Sequence, residues 1–167
     1  MSADRPKIRA VFDCMVFLQG AARRESPAGA CLLLVDLEAI ELCISEAIVA
    51  EVRDVLTRPR VRLRFPALTD ELIERFLVAL GKRALTIPGV PRVFLYERDR
   101  KDEPYINLAI AAEASYLVSR DADVLDLANP DDPDGERLRH YAPRLQILDP
   151  VSFLVEMRRK IEAPGQQ

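Results

Sequence analysis

Short apolar runs alternate along this chain with stretches of helical character, and this alternation restricts the fold more than any other feature. The runs at residues 8–12, 41–44, 84–87, 116–119 and 145–148 predict strands. Parallel strands need a crossover between them, usually a helix, so the alternation favours a parallel sheet covered on both faces. The sequence therefore predicts an α/β fold: a three-layer α/β/α sandwich with a central parallel sheet of about five strands.

Helix predictions rest on capping residues and prolines that lie between these strands. Ser45 and Thr69 are suitable N-caps, and Pro59 ends the helix that Ser45 begins. The predicted helices cover residues 27–38, residues 46–57, a segment that starts after Thr69, residues 103–114 and residues 151–160. Residues 128–136 predict a turn-rich loop, and residues 161–167 predict a frayed tail.

The length of 167 residues predicts a single domain, with its core between about residues 8 and 155. A content of 49% hydrophobic and 31% charged residues is typical of a globular protein rather than a disordered one. No apolar stretch approaches the roughly 18 residues of a membrane span. The first residues, MSADRPKIRA, lack a secretory apolar region. We therefore expect a cytoplasmic protein without a membrane partner.

The cysteines and the histidine restrict the chemistry. Cys14, Cys31 and Cys43 are an odd number without a CxxC spacing, which argues against both a disulfide framework and a zinc site. His140 is the only histidine, so histidine-based acid–base catalysis has little support.

Aspartates follow two of the predicted strands. Asp13 ends the first strand, and Asp121 follows the fourth strand by two residues. In an open parallel sheet, ligands bind beyond the carboxyl ends of the strands. We therefore expect both carboxylates to project at the same edge.

Glu51 lies on the apolar face of its predicted helix, together with Ile48, Val52 and Val55. A carboxylate that faces a core is costly unless it has a partner or a cation. The alternative is a boundary glutamate that extends to solvent.

Four further acids surround the helix at residues 103–114. Asp102 is either the N-cap of that helix or a ligand, and capping is the better interpretation for this residue alone. Asp123 is either a ligand or a turn residue. Asp99 and Glu103 are expected to lie in solvent.

Taken together, Asp13, Glu51, Asp102 and Asp121 offer only oxygen ligands. Such a set suits Mg²⁺ or Mn²⁺ rather than zinc. These ions commonly serve the cleavage or transfer of phosphate esters. There is no Walker A sequence or glycine-rich loop, so hydrolysis of nucleoside triphosphates is disfavoured.

A basic segment, RPRVRLR at residues 58–64, follows the Glu51 helix. Its arginines could contact a nucleic-acid backbone: Arg58, Arg60, Arg62 and Arg64. The alternative is a solvated loop whose positive charge balances that of the acidic residues. The mild net charge of −3 does not suggest a protein that coats nucleic acid, but it does not exclude a local basic face. For Tyr96 and Tyr105, packing is favoured over stacking on bases.

Four stretches carry a resemblance to a known family. They are RAVFDCMVFLQG, ISEAIVAEVRDVLTRPRV, RDRKDEPYINLAIAAEASYLVSRDADVLDL and ILDPVSFL, and they span roughly residues 8–155. In this order and spacing, the chain resembles the PIN-domain family. The resemblance is greatest to the bacterial branch of toxins from toxin–antitoxin pairs, the VapC-like ribonucleases.

The resemblance implies a Mg²⁺- or Mn²⁺-dependent ribonuclease that cleaves single-stranded RNA. Carried over by position, the catalytic and metal-binding acids are Asp13, Glu51, Asp102 and Asp121, and Asp123 is an additional metal-binding acid. It also implies a small antitoxin protein as partner. We expect a homodimer or a higher homo-oligomer.

The chain departs from the family after the first strand. Members usually have Thr or Ser and then Asn after the aspartate, whereas this chain has Cys14 and Met15. Cysteine is a weak hydrogen-bond donor and methionine is none. Loss of such supporting contacts can lower metal affinity or activity about 10- to 100-fold. A weakened PIN-like scaffold that binds RNA or a protein without cleaving it is therefore the alternative function.

Overall fold

A five-stranded parallel sheet forms the centre of the protein in the computed structural model, which describes residues 6–162. The strands are β1 (Arg9–Phe12), β2 (Glu41–Ile44), β3 (Leu85–Thr86), β4 (Tyr116–Val118) and β5 (Gln146–Leu148). Their order across the sheet is β3-β2-β1-β4-β5, and every neighbouring pair is parallel. The predicted α/β fold is confirmed.

Helices connect and cover the strands. They are α1 (Cys14–Ala22), α2 (Pro27–Asp36), α3 (Glu46–Leu56), α4 (Pro59–Arg64), α5 (Asp70–Arg83), α6 (Glu103–Ala111), α7 (Ala122–Asp126), α8 (Pro133–Tyr141) and α9 (Pro150–Glu162). Helices α1, α2, α3, α5 and α9 contact one another in one layer, whereas α6 packs on β1, β2 and β4. The chain reverses direction across the sheet after β3, so right-handed crossovers place α6 on the opposite face.

Side-chain caps begin several helices as the sequence predicts. Ser45 accepts a hydrogen bond from the Ile48 amide at the start of α3, and Thr69 accepts one from Leu72 at the start of α5. The α3 face that was expected to be apolar carries buried Ile48 and Val52. Among the described helices, none has the length and apolar character that a bilayer crossing requires.

Five segments differ from the prediction, and one of them is α7, which no predicted helix covered. Helix α1 begins directly after β1, and the basic segment, for which a solvated loop was the alternative interpretation, forms α4. Helix α8 begins inside the expected loop at 128–136, because Asp132 caps it and Pro133 occupies its first turn. Residues 161–162 belong to α9 rather than to a frayed tail, and residues 163–167 lie outside the described part.

An extended segment before α6, residues 91–98, is held by side chains of that helix. Asn107 accepts hydrogen bonds from the amides of Val93 and Phe94 at 3.0 and 2.8 Å. Its amide group donates to the Phe94 carbonyl at 3.0 Å and to the Glu103 carbonyl at 3.1 Å. One buried amide therefore satisfies backbone groups that no strand partner reaches.

Glu103 was expected in solvent, and that expectation is wrong. Its residue surface is 5% exposed, and its carboxylate accepts a hydrogen bond from the Tyr96 amide at 2.9 Å and pairs with Arg92. Because both partners satisfy the charge, burial is tolerated. Together with Asn107, Glu103 fixes the segment that leads to Asp99 and Asp102.

Replacing Asn107 tests this arrangement. We expect Asn107→Ala to lower the free energy of unfolding by about 3 kcal/mol, because it leaves buried backbone groups without partners. Asn129→Ala is the matched control, since that exposed side chain accepts one hydrogen bond, from the Asp131 amide. Denaturant titration measures both; equal losses in the two variants would contradict the assignment.

Candidate metal centre

The carboxyl ends of β1 and β4 bring Asp13 and Asp121 to one edge of the sheet. Phe12 is paired with Val118, and the Asp13 amide donates to the Val118 carbonyl at 3.0 Å. The Ser119 hydroxyl donates to the Asp13 carboxylate and accepts the Asp121 amide at 3.0 Å. One buried hydroxyl thus links the two strand ends.

Sequence reasoning missed Ser119 as a site residue, because it treated that position only as the last residue of a strand. The available signal was a hydroxyl at the carboxyl end of a buried strand, two residues before Asp121. In the structure Ser119 is fully buried. Its position makes it a support for both aspartates.

Asp13 is 3% exposed and also caps α1, accepting the Val16 amide at 3.1 Å. Burial raises the pKa of its carboxyl group, and the charge of Asp121 adds to the rise. The hydrogen bonds from Ser119 and Val16 act in the opposite direction. Asp13 is therefore a buried acid that has hydrogen-bond donors but also a negatively charged neighbour.

Asp102 is the most unusual acid of the site. It occupies the N-cap position of α6, but its backbone is helical and its side chain makes no capping hydrogen bond. Its carboxylate atom Oδ2 is buried without a hydrogen-bond partner. Burial, then the charges of Asp121, Asp99 and Asp13, raises the pKa of Asp102 to about 8. The prediction that Asp102 acts as a cap is therefore wrong for its side chain.

Three carboxylates meet most closely at this edge: Asp99, Asp121 and Asp123. Their ligand atoms lie within 4.8 Å of one another. Within residues 6–162, the predicted quartet does not meet as one such group. Asp99, which was expected in solvent, enters the site because the segment held by Glu103 and Asn107 ends beside it. Asp121 and Asp123 belong both to the predicted metal-binding acids and to the observed close group.

Glu51 approaches the site from α3. Its carboxylate accepts a hydrogen bond from the Tyr105 hydroxyl at 2.9 Å. Burial raises the pKa of the neighbouring Cys14 thiol to about 12; the charge of Glu51 adds to the rise and Arg58 opposes it. Glu51 therefore lies beside Cys14, the residue that follows Asp13.

The basic segment at residues 58–64 follows the Glu51 helix and forms α4, but its arginines differ in availability. Arg58 pairs with Asp54 at 2.7 Å, and Arg62 pairs with Asp70. Within residues 6–162, Arg60 and Arg64 form no ion pair. Tyr96 and Tyr105 are buried, which confirms packing over stacking on bases for both.

The donor set fits a hard divalent cation. All the acids at this edge offer carboxylate oxygens, and no histidine or thiolate ligand takes part in the close group. The oxygen Oδ2 of Asp102 is buried without a partner near the charges of Asp121, Asp99 and Asp13, which is electrostatically costly without a positive charge. A bound Mg²⁺ or Mn²⁺ would supply that charge.

Residues 9–123 match the family model for the PIN domain. The chain belongs to the PIN-domain family. No curated protein and no solved structure gives a significant match.

The PIN match confirms the predicted family and includes every acid of this site. PIN domains are typically metal-dependent nucleases, and the acidic cluster of this chain agrees with such a centre. The matched region ends before α8, β5 and α9. These last elements complete the PIN-like sheet at its β5 edge.

The raised pKa of Asp102 gives a testable prediction for metal-free protein. The folded state keeps this proton up to about pH 8, whereas an unfolded aspartate loses it near pH 4. The contribution of Asp102 to the stability of the folded state therefore falls as pH rises from about 4 to 8. In EDTA at pH 8.5 we expect the free energy of unfolding of Asp102→Asn to exceed that of the wild type by about 2 kcal/mol. This difference should vanish towards pH 4, where the wild-type carboxyl group becomes protonated in both states.

Denaturant titration across this pH range measures the effect. Asp131→Asn, in an exposed loop, is the control and should follow the wild type. Parallel stability curves for wild type and Asp102→Asn would contradict the assignment.

Proposed function

We propose that this PIN-domain protein is a Mg²⁺- or Mn²⁺-dependent endoribonuclease that cleaves phosphodiester bonds of single-stranded RNA. One observation carries the proposal: the carboxylate oxygen Oδ2 of Asp102 is buried without a hydrogen-bond partner and lies near the charges of Asp121, Asp99 and Asp13. Such a cluster suits a cation that a phosphodiester can approach from solvent.

Several acids would hold the ion. The proposed catalytic and metal-binding residues are Asp13, Glu51, Asp102 and Asp121, with Asp123 and Asp99 as further metal-binding acids. A bound Mg²⁺ or Mn²⁺ supplies positive charge for the phosphate and activates water for attack. Ser119 fixes the orientation of Asp13 and the position of Asp121, and the burial of Asp13 and Asp102 strengthens their interaction with a cation.

The RNA backbone would lie along α4 in this proposal. Arg60 and Arg64 are the primary phosphate contacts, because neither is committed to an ion pair within residues 6–162. Arg58 and Arg62 would have to exchange their carboxylate partners for phosphate, which weakens their contribution.

The remaining proposals concern partners. The chain would be the toxin of a toxin–antitoxin pair, inhibited by a small antitoxin protein, and would act on RNA in the cytoplasm. Exposed apolar residues on α2, at its C-cap and on α5, among them Leu33, Leu37 and Val78, support assembly as a homodimer or a higher homo-oligomer.

An RNA cleavage assay tests the proposed function. Purified protein without antitoxin should cut labelled single-stranded RNA in Mg²⁺ or Mn²⁺ and lose this activity in EDTA. We expect Asp121→Asn to lower the cleavage rate by at least about 100-fold. Even the loss of a residue that only hydrogen-bonds to a metal ligand lowers metal affinity or activity by about 10- to 100-fold. Asp131→Asn should cut at the wild-type rate.

Two other results would change the conclusion. Cutting that persists in EDTA would contradict a metal-dependent nuclease. Folded protein that binds Mn²⁺ and RNA but cuts none of several RNAs would identify the non-cleaving scaffold instead, with Cys14 and Met15 as the departure that explains it.

The roles of the α4 arginines can be tested by binding. In an Asp121→Asn background, we expect Arg60→Ala and Arg64→Ala each to weaken RNA binding about 5-fold and to lower the salt-dependence slope by about 1. Fluorescence anisotropy at several salt concentrations measures both quantities. Arg158→Ala on α9 is the control; an equal loss there would show only a general charge effect.

A further inference from the structure

Tyr105 and Glu51 form a contact between two helices that are distant in sequence. Tyr105 lies in α6 and Glu51 in α3, and the tyrosine hydroxyl donates to Oε2 of the glutamate at 2.9 Å. Within residues 6–162, this is the side-chain hydrogen bond that the Glu51 carboxylate accepts. It therefore sets where that carboxylate points.

The two partners differ in mobility. Tyr105 is 2% exposed, so packing fixes its ring and its hydroxyl, and two χ angles define the oxygen position. Glu51 is half-buried and has three χ angles. Without a fixed donor, its carboxylate would sample rotamers that point to solvent. Binding a metal would then cost the conformational entropy of ordering that side chain.

The thiol of Cys14 cannot replace this donor. Cys14 lies beside both Glu51 and Tyr105 and follows Asp13 directly. A thiol is a weak donor, whereas a phenol keeps its proton at neutral pH and donates strongly. The hydrogen bond that orients the Glu51 carboxylate thus comes from Tyr105 of α6 rather than from Cys14 at the end of β1.

From these contacts, we propose that Tyr105 is a positioning residue that directs the Glu51 carboxylate into the metal centre. The proposal rests on the proposed function, because it assigns a role within that same site. It explains how α3, which contributes no other acid to the site, joins the cluster at the ends of β1 and β4.

Metal affinity is the quantity to measure. We expect Tyr105→Phe, which removes one oxygen, to weaken Mn²⁺ binding by about 10- to 100-fold in calorimetry. In RNA cleavage, the Mn²⁺ concentration for half-maximal rate should rise by the same factor, while the rate at saturating Mn²⁺ stays within about 3-fold of wild type.

Tyr116→Phe is the matched control. That tyrosine is also buried, and its hydroxyl donates to a glutamate carboxylate, Glu156, at 3.2 Å, away from the acidic edge. The control should leave Mn²⁺ affinity unchanged. A loss of similar size in Tyr116→Phe would overturn the proposal, because it would reflect a general effect of removing a buried hydroxyl.

A double-mutant cycle with Glu51 completes the test. If Tyr105 acts through Glu51, Tyr105→Phe should produce no further loss of Mn²⁺ affinity in a Glu51→Ala background. Additive losses would overturn the proposal. If Tyr105→Phe binds Mn²⁺ as tightly as the wild type does, the role of Tyr105 is overturned while the proposed function stands. If the wild-type protein itself binds no Mn²⁺, the proposed function is overturned as well.

Discussion

The crowding of carboxylates at the carboxyl edge of the sheet is the constraint on which the rest of the site depends. Asp13 and Asp102 are buried there, and their carboxyl groups have raised pKa values because burial and neighbouring charge disfavour ionisation. The protein offsets part of this cost with the Ser119 hydroxyl and with backbone amides. The remaining cost is the electrostatic basis for binding a divalent cation.

The fold supplies the rigidity that such crowding needs. The ends of β1 and β4 are joined through Ser119, while Asn107 and Glu103 of α6 hold the segment that leads to Asp99 and Asp102. Because α6 also carries Tyr105, one helix contacts the sheet, the preceding segment and α3. The site therefore depends on the packing of α6 as much as on the strand ends.

Much of the fold followed from local pattern. Buried parallel strands are apolar runs, and hydroxyl caps such as Ser45 and Thr69 mark helix starts, so both are visible in sequence. Helix α1 was missed because it follows its N-cap Asp13 and β1 without a separating turn, and α8 because its first turn resembles a loop of Asp, Pro and Gly. Local composition does not distinguish these cases.

The sequence by itself determined the parallel α/β class, the family and the acids at the strand ends, since periodicity and order along the chain encode them. Only the tertiary structure decided the surroundings of each acid. It brought Asp99 beside Asp121, buried Glu103 against Arg92, left Asp102 without a capping bond and placed Tyr105 on Glu51. These contacts join segments that no local pattern relates, because desolvation and partner geometry arise only when the elements pack.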